Sequence, residues 1–171
     1  MSSVYEFPEV YVEGVKGDYY IVKINREYYF AKNPIGEEYY GHIIYEDVID
    51  KALDLIEAKF TRSVIVVPRY RRAESVNGLL FPKDTRICFM EIKGVQPILF
   101  IREGDEISKR EKIAYIITGK GEVRVYKSLC EGIVALVVNL PWEKPEKYIV
   151  AVVSKNDARE IVIRRSKDFG V

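Results

Sequence analysis

A chain of 171 residues is long enough for one sizeable core, or for one core with a small satellite. Its 27 Lys and Arg nearly balance 26 Asp and Glu, for a net charge of +1, which excludes the positive excess on which general nucleic-acid binding rests. Hydrophobic residues at 48%, with 13 tyrosines, argue against disorder and favour strands, and no apolar run reaches the roughly 20 residues that span a bilayer.

The opening MSSVYEFPEV has neither a basic n-region nor an apolar h-region, so a soluble, cytoplasmic protein without membrane or nucleic-acid partners is expected. Residues 10–30 read as extended. Tyr19, Ile21 and Lys23 alternate with Tyr20, Val22 and Ile24, and Asn25-Arg26 turns the chain toward residues 27–30, giving two or three antiparallel strands. Pro34, Gly36 and Gly41 mark a loop. The adjacent pairs Tyr19-Tyr20, Tyr28-Tyr29 and Tyr39-Tyr40 point to opposite faces of a strand, one ring for the core and one for a surface contact, for which a homo-oligomer is one outlet.

A helix is predicted over residues 45–60. Ile49, Leu53, Ile56 and Phe60 recur at three- and four-residue spacing, and Glu46, Asp47 and Asp50 crowd the first turn, where acids suit the dipole. A β-branched run at 64–67 is expected to stop at Pro68. Arg69, Arg71 and Arg72 then form a local basic cluster, read as solvated loop charge or as an anion or partner contact.

From Gly78 the texture changes to short strands at 79–81, 86–91, 96–101, 112–118, 122–127, 133–139, 148–154 and 160–164, with no further helix. The domain organisation expected is an N-terminal elaboration of strands plus one helix over 1–77, a β barrel-sandwich over 78–155, and a C-terminal strand and tail over 156–171. Cys88 and Cys130 are too few for a disulfide framework and are read as buried reduced thiols. With one histidine, His42, and no Cys-x-x-Cys pair, no metal site and no cofactor are expected. Glu103, Asp105, Glu106 and Glu111 read as a charged turn, and Ser108, Ser128 and His42 show no local triad pattern, so no catalytic residue is assigned. GlyLysGlyGlu lacks the spacing of a phosphate-binding loop.

An internal echo joins Gly94-Val95 with Gly132-Ile133, 38 positions on: each leads into an apolar strand, a charged turn and a second apolar strand. Gly94 is followed ten residues later by Gly104-Asp105, and sixteen residues after Gly104 comes Lys120, set between Gly119 and Gly121 in a hairpin turn. In this spacing the segment 86–154 resembles the biotinyl/lipoyl carrier domains, and the resemblance implies a mainly β barrel-sandwich hybrid (hammerhead) fold with Lys120 as a covalent attachment site. Gly104, Asp105, Gly119, Gly121 and Gly132 are then the turn-forming residues. Biotin acceptors carry Met on both sides of the lysine and lipoyl acceptors an acid before it, where this chain has glycine. As a whole the chain resembles an archaeal family known only as a domain of unknown function (DUF2118-like), in which a lipoyl-like barrel follows an N-terminal extension.

Three readings of function follow. The leading one is a non-catalytic structural or interaction protein on a lipoyl-like scaffold. The second is a carrier that moves an acyl or carboxyl group on Lys120. The third is a small-molecule-binding protein or enzyme whose site lies between the N-terminal elaboration and the barrel, with Arg69, Arg71 and Arg72 orienting an anion.

Overall fold

The computed structural model describes residues 7–170. The reading of the first six residues and the last residue of the expected tail lie outside the described residues. The strands are β1 (Phe7–Glu13), β2 (Tyr20–Ile24), β3 (Glu27–Ala31), β4 (Glu38–Ile43), β5 (Leu53–Asp54), β6 (Lys59–Phe60), β7 (Val64–Tyr70) and β8 (Ser75–Phe81). They continue with β9 (Cys88–Gly94), β10 (Ile98–Leu99), β11 (Glu106–Ile107), β12 (Lys112–Ile117), β13 (Val123–Lys127), β14 (Gly132–Leu140), β15 (Glu146–Val153) and β16 (Arg159–Arg165). Among the described residues one α-helix, α1 (Val48–Ala52), lies between these strands. The protein is thus mainly β, of barrel-sandwich type, with a helix in its N-terminal part.

Contacts divide the chain into two compact units: Met1–Asp54 with Lys59–Thr85 and Arg159–Val171, and Leu55–Ala58 with Arg86–Ala158. In the first unit a closed barrel runs in the order β1-β4-β2-β3-β16-β8-β7. All its pairs are antiparallel except β16 with β3, where Ile163 lies opposite Tyr28. Strand parity sorts the side chains: Tyr11, Ile21, Tyr28, Phe30, Tyr40, Ile65, Val67 and Ile163 form one buried cluster. The alternate residues Tyr20, Val22 and Ala31 form another with Tyr29, Tyr39 and Phe169. Each tyrosine pair therefore splits between two packed layers, and Phe169 lies 5.1 Å from Tyr29 on the outer side.

Local chemistry explains the turns. Asn25 (φ +52°) and Arg26 (φ +69°) make the two-residue connection of the β2–β3 hairpin, where left-handed angles match the strand twist. Pro68 does not end β7, which runs on to Tyr70. Opposite it the β1 register shifts between Phe7 and Glu9, so the missing proline N–H falls at an irregularity of the ladder.

The helix predicted over 45–60 is far shorter. A 3-10 turn (Tyr45–Asp47) leads into α1, and Leu53 already has extended angles and pairs with Phe60. Of the apolar stripe, Leu53 and Phe60 are buried, whereas Ile56 is 94% exposed. The buried helical residues are Val48 and Ala52, which serve α1 packing on β1. A spacing of three and four residues arose here from a strand pair closed by the left-handed Ala58 (φ +54°), not from one helical face.

The second unit holds two sheets, β10-β12-β13 and β11-β14-β15-β9. Met90, Ile92, Ile101, Ile107, Ile113, Val134, Val150 and Val152 are among the side chains of its core. The expected strands are present with end shifts, and β11 is added to them. The expectation of reduced thiols is overturned: Cys88 and Cys130 form a disulfide across 42 residues, with their Cα atoms 6.0 Å apart. Strand β9 and the residues just before β14 meet in space, a juxtaposition that two isolated cysteines cannot announce in a sequence.

Candidate functional site

Lys120 stands at the tip of the β12–β13 hairpin and is exposed. Gly121 N donates to Thr118 O (2.9 Å), Thr118 N to Glu122 O (2.8 Å), and Glu122 N to Thr118 Oγ1 (3.2 Å). Gly121 takes the left-handed angle (φ +81°) that closes this three-residue loop, and Gly119 has no such requirement. A Cβ added at either glycine would meet nothing within 4 Å, so the tip stands clear of the body of the unit.

The other turn residues hold the sandwich together. Gly104 (φ +92°) donates its N–H to Val134 O (2.8 Å), and Asp105 Oδ2 accepts from Arg102 N (2.9 Å), a local bond between a turn carboxylate and the backbone. At Gly132 (φ +140°) a Cβ would fall 2.2 Å from Val153 O, because β14 and β15 meet closely there.

In the first unit, Arg69 is exposed at the end of β7, and Arg71 and Arg72 are exposed in the turn to β8. Arg165, which the sequence reading passed over, is organised into the barrel. Its guanidinium packs 4.6 Å from the centre of the Phe30 ring, Nε donates to Ala73 O (2.8 Å), and Nη2 donates to Tyr70 Oη (2.9 Å).

Also missed was a buried polar cluster within the barrel. Glu9, 5% exposed, shares the inward face of β1 with Tyr11, whose hydroxyl donates to Oε2 at 2.5 Å. Tyr19 donates to Oε1 at 2.7 Å, and His42 Nε2 lies 3.7 Å from the same oxygen. The His42 ring stacks on Tyr19 at 4.3 Å and meets Tyr11 edge-on at 5.3 Å. Burial, reinforced by the Glu9 carboxylate, pushes both phenols well above their ordinary range. Burial also outweighs the attraction of Glu9 and Asp18 at His42, holding the imidazole below its usual value and neutral near pH 7. Every oxygen of Glu9 therefore has a phenolic donor, and the arrangement is that of a satisfied interior network.

A signal for it exists. Glu-x-Tyr recurs as Glu9/Tyr11, Glu27/Tyr29 and Glu38/Tyr40, and in each case the tyrosine hydroxyl donates to the glutamate two residues earlier on the same strand face. Among the described residues no group of three or more His, Cys, Asp or Glu is placed to hold a metal ion, and no helix is long and apolar enough to cross a membrane.

Comparison with the curated proteins finds no match. A family described as an uncharacterized protein conserved in archaea (DUF2118) matches residues 5–155, most of the chain, and the chain belongs to that family.

Proposed function

We propose that the protein is a non-catalytic interaction protein that works as a self-associated scaffold, with its second unit making the contact. The observation that carries this reading is the free edge of β13. It ends its three-stranded sheet, and among the described residues no strand pairs with its other side. On the outer face, Ile98, Tyr115 and Val125 stand directly opposite one another across the three strands, each exposed, with Phe100 edge-on to Tyr115 at 4.7 Å. An uncovered apolar edge strand of this kind is a template for another strand.

A second copy fits that edge by charge. Antiparallel pairing about a twofold axis at Val125 sets Arg124 opposite Tyr126, Val123 opposite Lys127 and Glu122 opposite Ser128, with no like charges face to face. Sedimentation velocity across a concentration series tests the reading. A dimer that becomes monomeric in Val125→Asp, where two carboxylates would meet at the axis, supports it; a monomer at every concentration sinks it.

A second reading is a covalent carrier with Lys120 as the attachment point. It is favoured by the open space around the Gly119–Lys120–Gly121 tip. Intact-mass measurement on protein from its native cells is the test: a discrete increment absent from Lys120→Arg supports it, and an unmodified chain during active growth refutes it.

A further inference from the structure

The loop after β1 folds back on β4 and is held there by close backbone approach. Gly14 N donates to Tyr39 O (3.0 Å), a Cβ at Gly17 would fall 2.3 Å from His42 O, and one at Gly41 would fall 1.9 Å from Val15 O. The loop is thus shaped before any ligand arrives. Beside it lies an open hollow of about 510 Å³, within the size range of small-molecule sites. Lys16, Lys32 and Asn33 line it, against a wall made by Tyr20, Tyr39 and Pro34.

Among the described residues the charge of its lining is one-sided: no acid lines this hollow, and neither Lys16 nor Lys32 has an ion-pair partner. The Tyr20 hydroxyl accepts from Gly17 N (3.2 Å), which leaves its own proton to donate. Gly14 belongs both to this hollow and to a second one of about 390 Å³ lined by Thr61, Arg62, Ser63 and Lys83, with Glu13 the one acid there among the described residues. Arg62 Nη1 donates to Glu13 O (3.1 Å) and lies 3.1 Å from where a Gly14 Cβ would be, so a guanidinium stands beside the glycine that lines both hollows.

We propose that this cleft, with Lys16, Lys32 and Arg62 around Gly14, is a binding site for a small phosphorylated molecule. Phosphate oxygens would take charge-assisted hydrogen bonds from the three cations and from Tyr20, while a ring or ribose lies against Tyr39 and Pro34. A carboxylate-bearing ligand would satisfy fewer of these donors, since three cations suit a group with two or more negative charges. The site lies wholly in the first unit and is independent of the self-association proposed for the second.

The test is calorimetric titration of the full chain with inorganic pyrophosphate and with ADP at fixed salt. Binding with Kd below about 1 mM is expected, falling at least about tenfold in Lys16→Ala/Lys32→Ala and again in Arg62→Ala. Lys109→Ala/Lys112→Ala in the second unit is the charge control and should bind as the parent does. No binding of either probe by the parent overturns the proposal, as does an equal loss in the control pair. Near-unchanged near-UV circular dichroism establishes that each variant is folded, and Lys16→Arg/Lys32→Arg should retain binding. A single-stranded oligonucleotide that binds more tightly than both probes and displaces them would assign the cleft to a nucleic-acid backbone and overturn the small-molecule assignment.

Discussion

Tyr11→Phe isolates one buried hydrogen bond almost without disturbing packing. Tyr11 is 0% exposed inside the barrel, and its hydroxyl donates to Glu9 Oε2 at 2.5 Å. Phenylalanine keeps the ring, its edge contact with Tyr19 at 5.9 Å and its tilted contact with Phe30 at 6.2 Å, so no large cavity opens. What is lost is a bond to a buried carboxylate, whose other oxygen retains Tyr19 at 2.7 Å. Such a bond contributes about 1.5–3 kcal/mol, which for a chain of this size lowers the melting temperature by roughly 3–12 °C. Urea unfolding followed by tyrosine near-UV circular dichroism is the suitable assay, because the one tryptophan, Trp142, reports on the second unit. The same change made in a Glu9→Gln background should cost about 1 kcal/mol less, the difference measuring the coupling of the pair. A loss below about 0.5 kcal/mol in the parent background, the scale of an ordinary surface substitution, would refute the reading of Glu9 as a carboxylate held by its phenols.

Because His42 is held below its ordinary value in the folded barrel, the unfolded chain binds a proton more readily than the folded one. Stability is fully present above about pH 6.5 and falls as pH drops through the folded value; as His42 is the only histidine, His42→Gln should flatten the melting curve's pH slope just below 6.5, and an unchanged slope would contradict this. Gly132→Ala should destabilise the second unit by about 2–4 kcal/mol in thermal melts, through the clash with Val153 O and the φ of +140°, whereas Gly119→Ala should stay within about 0.5 kcal/mol. Reduction of the Cys88–Cys130 disulfide, which closes a 42-residue separation, should cost about 2–4 kcal/mol; alkylation of both thiols in native, unreduced protein, read by mass, would contradict the bond.

How much of this was legible follows from the range over which each interaction acts. The Gly-Lys-Gly tip was readable because a hairpin turn is written in three adjacent residues, and Gly121 indeed supplies the left-handed angle. The Asn25-Arg26 turn was readable for the same reason. The helix over 45–60 was misread because Leu53 and Phe60, spaced as if on one helical face, are cross-strand partners instead. Pro68 was read as a strand end because the register irregularity opposite it belongs to β1, far back in the chain. The Glu9 cluster draws on three strands, and the recurring Glu-x-Tyr pattern hinted only at its intrastrand half.

Alternation of apolar and polar residues, turn-forming glycines and the density of β-branched and aromatic side chains were enough by themselves to make this a mainly β protein with an exposed lysine on a hairpin. Barrel closure was decided elsewhere: Ile163 of β16 comes to lie in parallel beside Tyr28 of β3, and β16 also pairs with β8. The disulfide, the buried carboxylate and the cationic cleft around Gly14 share that origin. Local propensity sets what each segment is, whereas the partners of a strand, a thiol or a carboxylate are chosen by long-range packing, which no window of neighbouring residues contains.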